Sequence, residues 1–195
     1  EPSKLVAGVT AVYGADYVQR VYGEILPIPA ERIIEAPDGH VISLNGRELV
    51  CLDTPGHARH HICIVDHKAR AIFTGDMFGL SYRELDVDGR QFIFPTTTPT
   101  QFEPDEMRAS IKRLVALQPQ AMYLTHYSQV PEVQAQGAEL LRHLDALVAM
   151  AQGEQGAGEQ RHARIKQKMT DYLLAEIRRH GCQLPESTLR DIWAT

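Results

Sequence analysis

Three apolar runs, each stopping abruptly at a polar residue able to bind metal, constrain this chain more than any other feature of it. Leu49-Val50-Cys51-Leu52 ends in Asp53-Thr54-Pro55-Gly56-His57, Ala71-Ile72-Phe73 ends in Thr74-Gly75-Asp76, and Ala121-Met122-Tyr123-Leu124 ends in Thr125-His126. Short apolar runs bounded by Gly and Pro read as buried strands. Each strand end then offers an imidazole or a carboxylate, the donors that borderline divalent ions accept, on an element rigid enough to fix its geometry. A metal site built from His57, Asp76 and His126 is the leading expectation.

At 195 residues the chain can bury a substantial core. It is read as one domain over residues 1–152, with residues 153–195 as a helical extension packed on the same domain. The net charge of -5 is mild and the basic residues are dispersed, which argues against nucleic acid or an anionic membrane as a partner. No apolar run approaches the ~20 residues of a spanning helix, and no signal-peptide pattern opens the chain. A cytoplasmic protein acting on a small molecule is therefore expected. Cys51, Cys63 and Cys182 are odd in number and widely spaced, so they suggest neither a disulfide framework nor a C-x-x-C zinc site. Cys51 and Cys63 sit in apolar runs, where a thiol serves as a small core residue.

Taken in order, Leu5, Val6, Val9, Val12, Tyr13, Tyr17, Val18, Val21 and Tyr22 recur at helical spacing, with a break expected near Gly14. From Arg32 the period changes. Ile33-Ile34, Val41 to Leu44 and Glu48 to Leu52, separated by Asp38-Gly39 and Asn45-Gly46, read as a three-strand meander. His61 to Val65 and Ala71 to Thr74 continue it, joined through Asp66-His67-Lys68. Five strands in about forty residues imply an antiparallel or mixed sheet. Met77 to Thr100 reads as a long irregular connection with a short strand at Arg90 to Phe94, and connections of that length are functional or mobile. Pro104 with Asp105 and Glu106 opens a helix through Leu117. Ala121 to Leu124 is a buried strand, Val133 to Met150 a helix, Gln160 to His180 another, and a short helix follows Pro185. These last helices either pack on the sheet or form a homodimer contact.

Thr54-Pro55-Gly56-His57-Ala58-Arg59-His60-His61, Phe73-Thr74-Gly75-Asp76 and Tyr123-Leu124-Thr125-His126-Tyr127, in that order, resemble the later motifs of the metallo-β-lactamase-fold hydrolases, of the hydroxyacylglutathione-hydrolase-like kind. The resemblance runs from about Ile33 to Val130. It implies an α/β architecture, the αβ/βα sandwich, present as its C-terminal part without the N-terminal strands. It also implies a two-metal site, expected to hold zinc, with iron or manganese also suited to His and carboxylate. Carried over, His57 ligates the first metal, His126 the second, and Asp76 bridges them and is catalytic. The reaction implied is hydrolysis of an ester, thioester or lactone by a metal-bound hydroxide.

The family's H-x-H-x-D-H signature is absent from the chain, where Asp66-His67 is the only Asp-His pair and falls in a hairpin turn. Since the chain opens at Glu1, the expectation is that a longer hydrolase carries the signature upstream; a naturally reduced, metal-poor relative is the alternative. Other readings stay open at each residue. His57 also fits a polar turn, Asp76 a helix cap and His126 a satisfied core histidine. Tyr127 is a second catalytic candidate, as a hydrogen-bond donor to an oxyanion. His61 reads as a packing residue or one that supports the ligands, His67 as a solvated turn residue, and His40, His143, His162 and His180 as surface residues. Tyr82, Arg83, Phe94 and Thr96 to Thr98 either line a substrate pocket or pack on their own sheet. From other classes, a non-catalytic sensor or interaction scaffold and an iron-dependent redox protein remain open.

Overall fold

The apolar spacing near the start does form helix and Gly14 does interrupt it: α1 spans Ser3–Tyr13 and α2 spans Ala15–Tyr22. The rings of Tyr13 and Tyr17 stack 5.4 Å apart across the break. Pro27 and Pro29 then keep the chain out of helix apart from one 3-10 turn at Ala30–Arg32. These elements make up the first of two compact units, Glu1–Glu35; the second is Ala36–Thr195. The structure, a computed structural model, describes residues 3–98, 101–127, 129–156 and 158–194.

In the second unit six strands form one mixed sheet in chain order: β1 (His40–Leu44), β2 (Arg47–Asp53), β3 (Ile62–Asp66), β4 (Ala71–Phe73), β5 (Ala121–Tyr123) and β6 (Gln129–Val130). Asn45-Gly46 closes the β1–β2 hairpin, as its turn chemistry requires. Every pairing is antiparallel except that of β4 with β5. Strands β2, β4 and β5 therefore point the same way, and their C-terminal ends emerge along one rim. The class is α/β, as expected.

Three local expectations are corrected. Ile33-Ile34 forms no strand, so four strands rather than five precede the long connection. The Asp38-Gly39 turn closes no hairpin because no strand precedes it among the described residues; its carboxylate instead accepts from the Asp53 amide at 2.9 Å and from both terminal nitrogens of Arg113 at 2.8 and 3.0 Å. That guanidinium holds the Asp38 carboxyl below its usual range. Arg90 to Phe94 contributes only isolated bridges, Leu80 with Phe94 and Val87 with Arg90. The Pro99-Thr100 end of the same stretch lies outside the described residues.

Helix α3 (Pro104–Ala116) opens on its proline with Asp105 and Glu106 in the first turn, where acidic groups oppose the positive helix end. With α4 (Val133–Gly153) it covers one face of the sheet. Met107, Ile111 and Leu114 of α3 and Leu140 and Leu144 of α4 meet Cys63, Val65, Ile72 and Met122, all fully buried or nearly so. Burying each such Leu, Ile or Met contributes about 1.5–3 kcal/mol.

A second core was not legible beforehand. Helices α5 (Gly158–His180) and α6 (Glu186–Ala194) and the link between them place Ile177, Leu189 and Cys182, respectively, against Leu85, Phe92 and Phe94. Met77, Phe78 and Ile93 of the same connection belong to the first core. The irregular stretch after Asp76 is thus anchored between the two cores.

His143, expected at the surface, is 1% exposed on α4. Its Nδ1 lies 2.9 Å from the Tyr172 hydroxyl, and the Arg142 guanidinium, itself paired with Glu139 and Glu176, lies 3.3 Å from its Nε2. Burial, reinforced by the Arg142 charge, pulls its pKa from 6.5 down to about 4. Between those values the unfolded chain takes up a proton there that the folded chain refuses, so stability falls as pH drops from 6.5 to 4. Integrated over the window, this is up to about 3 kcal/mol. Urea unfolding at pH 7 and pH 4.5 should show a smaller loss for His143→Gln than for the wild type; equal losses would show that His143 contributes no pH dependence.

Candidate metal centre

The turn that carries His57 is pressed against the start of α3. Pro55 O accepts from Ser110 Oγ at 2.7 Å, and Gly56 O accepts from the Glu103 amide at 2.8 Å. At Gly56, φ is +131° and a Cβ would stand 2.3 Å from the Met107 nitrogen, so only glycine allows this approach. The Asp76 turn is built by the parallel ladder. Thr74 N donates to Tyr123 O at 2.9 Å and Thr125 N to Gly75 O at 3.3 Å, carrying the β4–β5 pairing past the strand ends. At Gly75, φ is +52° and a Cβ would lie 2.5 Å from His61 Nε2.

These turns bring the three expected ligands together. Asp76 lies between the two histidines, with Oδ2 3.7 Å from His57 Nε2 and Oδ1 3.2 Å from His126 Nε2. Each carboxylate oxygen faces a different imidazole. His57 is the most enclosed of the three and His126 the most exposed, with side-chain exposures of 17% and 52%. Burial holds the His57 pKa below its usual value, partly offset by the Asp76 charge; a less readily protonated imidazole keeps its lone pair free. In kind, these nitrogen and oxygen donors fit borderline divalent cations. They fit as two separate pairs: among the described residues no group of three or more His, Cys, Asp or Glu side chains gathers into a set able to hold a metal ion. A protein-bound zinc normally takes three or four protein ligands, so each pair needs further donors.

His61 supports Asp76 from behind. Its Nε2 accepts from the Asp76 amide at 3.1 Å, which puts its proton on Nδ1, 2.9 Å from Thr54 Oγ1. Burial, the main cause, keeps this imidazole neutral by lowering its pKa. Thr54 Oγ1 also lies 3.3 Å from Cys63 Sγ. Burial pushes the Cys63 thiol up to about 12, so it stays protonated and donates to Thr74 O at 3.3 Å. Cys51, Cys63 and Cys182 are all free and buried, Cys51 and Cys63 as expected of core thiols.

The connection after Asp76 returns to the site through two threonines. Thr96 Oγ1 lies 3.0 Å from His57 Nδ1 and donates to Asp76 O at 2.7 Å, while Thr98 Oγ1 donates to His57 O at 2.8 Å. Only their position in a long stretch behind a candidate ligand pointed to them. Tyr127 has a left-handed backbone, φ 68°, and its ring centroid lies 4.2 Å from that of Tyr82 and 6.3 Å from that of His126. Burial and the Tyr127 hydroxyl push Tyr82 up to about 12. Tyr82 in turn stacks on Phe94 at 6.0 Å, tying the aromatic pair to the second core.

A six-stranded mixed sheet with helices, and a strand-end His-Asp-His arrangement at its rim, define the class to which the chain belongs: the metallo-beta-lactamase superfamily, whose family model matches residues 4–126. The metallo-beta-lactamase fold-containing protein ST1585 of Sulfurisphaera tokodaii is 28% identical over 107 residues, covering 54% of this chain and 37% of its own length. The crystal structure of ST1585 from Sulfolobus tokodaii superposes with a TM-score of 0.57 and 24% identity over 91% of this chain and 63% of that one. Acyl-coenzyme A thioesterase MBLAC2 of Gallus gallus is 37% identical over 51 residues, 26% of this chain and 18% of its own. Atrochrysone carboxyl ACP thioesterase of Aspergillus chevalieri is 49% identical over 39 residues, 20% of this chain and 13% of its own. The chain thus spans well under half the length of these curated relatives.

Gly75→Ala tests the local construction. The added methyl meets His61 and forces a left-handed backbone on an L-residue, at a cost of about 2 kcal/mol or more. The urea midpoint should fall accordingly with an unchanged slope. An unshifted midpoint would show that the Gly75–His61 contact is not tight.

Proposed function

We propose that this chain supplies the His57–Asp76–His126 face of a metal-dependent hydrolase that acts on a small carboxylic ester, thioester or lactone. The observation that carries the reading is the split of the Asp76 carboxylate, one oxygen toward each histidine. A bridging carboxylate uses its two oxygens in this way. The thioesterase names of two relatives that match parts of the chain support a thioester or related acyl substrate. When bound, a divalent pair supplies Lewis acidity and a hydroxide at neutral pH. Zinc is the proposed metal, and these donors suit iron or manganese as well. Within the chain, Asp76 spaces the two histidines and His61 fixes its backbone. Tyr127, at the rim beside His126, is the proposed donor to the developing oxyanion. The proposed substrate is a small molecule; among the described residues no helix is long and apolar enough to cross a bilayer.

One observation favours a second reading, a metal-poor interaction scaffold: neither His-Asp pair gathers a third donor among the described residues. Metal analysis of the protein produced from its full reading frame separates the two. The hydrolase reading expects about two equivalents of zinc, iron or manganese per chain. It also expects acyl-thioester hydrolysis that Asp76→Ala reduces by more than the roughly 10–100-fold typical of losses outside the ligand shell. No metal with unchanged folding supports the scaffold. For the 195 residues alone, calorimetry should show zinc binding weaker than micromolar and no esterase activity. Micromolar binding of two metals by these residues would contradict the half-site.

A further inference from the structure

The hydroxyl of Thr96 sits between the two residues that the site most depends on. Thr96 is 8% exposed, on the connection held between the two cores. Its Oγ1 lies 2.7 Å from the Asp76 carbonyl oxygen and 3.0 Å from His57 Nδ1. A hydroxyl carries one hydrogen. The carbonyl oxygen can only accept, so that hydrogen is committed to Asp76 O. The Thr96 oxygen must then accept from His57, which puts the imidazole proton on Nδ1.

This assignment matters because the alternative has an attraction of its own. Asp76 Oδ2 stands 3.7 Å from His57 Nε2, and with nothing else nearby a carboxylate favours a proton on the facing nitrogen. A proton there would occupy the lone pair that a cation needs. Thr98 does not decide the matter, since it reaches only the His57 carbonyl oxygen.

We infer that Thr96 is a positioning residue: by accepting from His57 Nδ1–H while donating to Asp76 O, it holds His57 as the tautomer whose bare Nε2 faces the Asp76 carboxylate. The inference deepens the proposed metal face and rests on it for its purpose. The tautomer itself is independent of any metal or substrate. Thr96 thereby links the irregular connection to the ligand turn, giving a residue with no metal-binding chemistry of its own a defined part in the site.

The test is nitrogen-15 NMR of the metal-free 195-residue protein with labelled histidines, at a pH where the imidazoles are neutral. Long-range proton–nitrogen correlations distinguish a protonated Nδ1 from a protonated Nε2. In the wild type His57 should be almost wholly in the Nδ1–H form. Thr96→Val, which keeps the shape and removes the acceptor, should shift His57 toward Nε2–H by several-fold in population, and Thr96→Ser should restore the wild-type pattern. His61, held separately by Thr54 and the Asp76 amide, should keep its own tautomer in all three proteins. A wild-type His57 found mainly as Nε2–H overturns the inference even if Thr96→Val fails to fold. So does a folded Thr96→Val protein with an unchanged His57. Because no catalysis is measured, a wrong hydrolase assignment leaves this readout intact, and a wrong tautomer leaves the metal content of the full protein untouched.

Discussion

The parallel pairing of β4 with β5 is the constraint on which the rest depends. Antiparallel β2–β3 and β3–β4 pairings reverse direction twice, so β2 runs with β4; parallel β4–β5 pairing adds β5 to the same direction. Three strands that end in different polar residues must then end along one rim. The ladder continues beyond the strands through Thr74 and Thr125, and this continuation brings Asp76 and His126 within 3.2 Å of each other. Reversing any one strand would send its terminal residue to the opposite edge. Helix α3, in the crossover from β4 back to β5, and α4, which follows β6, supply the apolar burial that holds this register.

Around that frame the site is built mostly from backbone. Gly56 and Gly75 are glycines because Met107 and His61 occupy the space a side chain would need. His61, Thr54, Thr96 and Thr98 hold the turns by hydrogen bonds to main-chain groups or to one another. The His57 ring and the Asp76 main chain are therefore held by neighbouring threonines and by His61, none of which is among the three candidate ligands. Such surroundings usually decide whether a ligand set is preorganised.

Much of this was legible in the residues. The Gly14 break, the Asn45-Gly46 hairpin, the Pro104 helix start and the three strand ends each follow from local rules, because the physics that fixes them acts within a few residues. Convergence of His57, Asp76 and His126 was expected from the three strand ends each carrying a metal-competent side chain, and the resemblance implied it as well. What was not legible is long-range. Asp38 looked like hairpin chemistry, yet Arg113, 75 residues away, takes both its oxygens. Leu85, Phe92 and Phe94 have no period to betray that they meet Ile177 and Leu189. His143 falls three residues after Leu140 and four before Leu147, on the apolar face of α4, so the helical period alone already turns it inward; what the period cannot show is that Tyr172 and Phe92 enclose it. Thr96 carried no signal beyond its place in a long connection.

The central claim is that His57, Asp76 and His126 form two adjoining metal-ligand pairs sharing one carboxylate. Anomalous diffraction from crystals of this chain soaked in millimolar zinc tests it most directly. The account predicts a zinc peak roughly 2.0–2.2 Å from an Asp76 oxygen and from Nε2 of His126 or His57. Zinc bound only at other histidines such as His40, His67 or His162, with the Asp76 carboxylate bare, would contradict it.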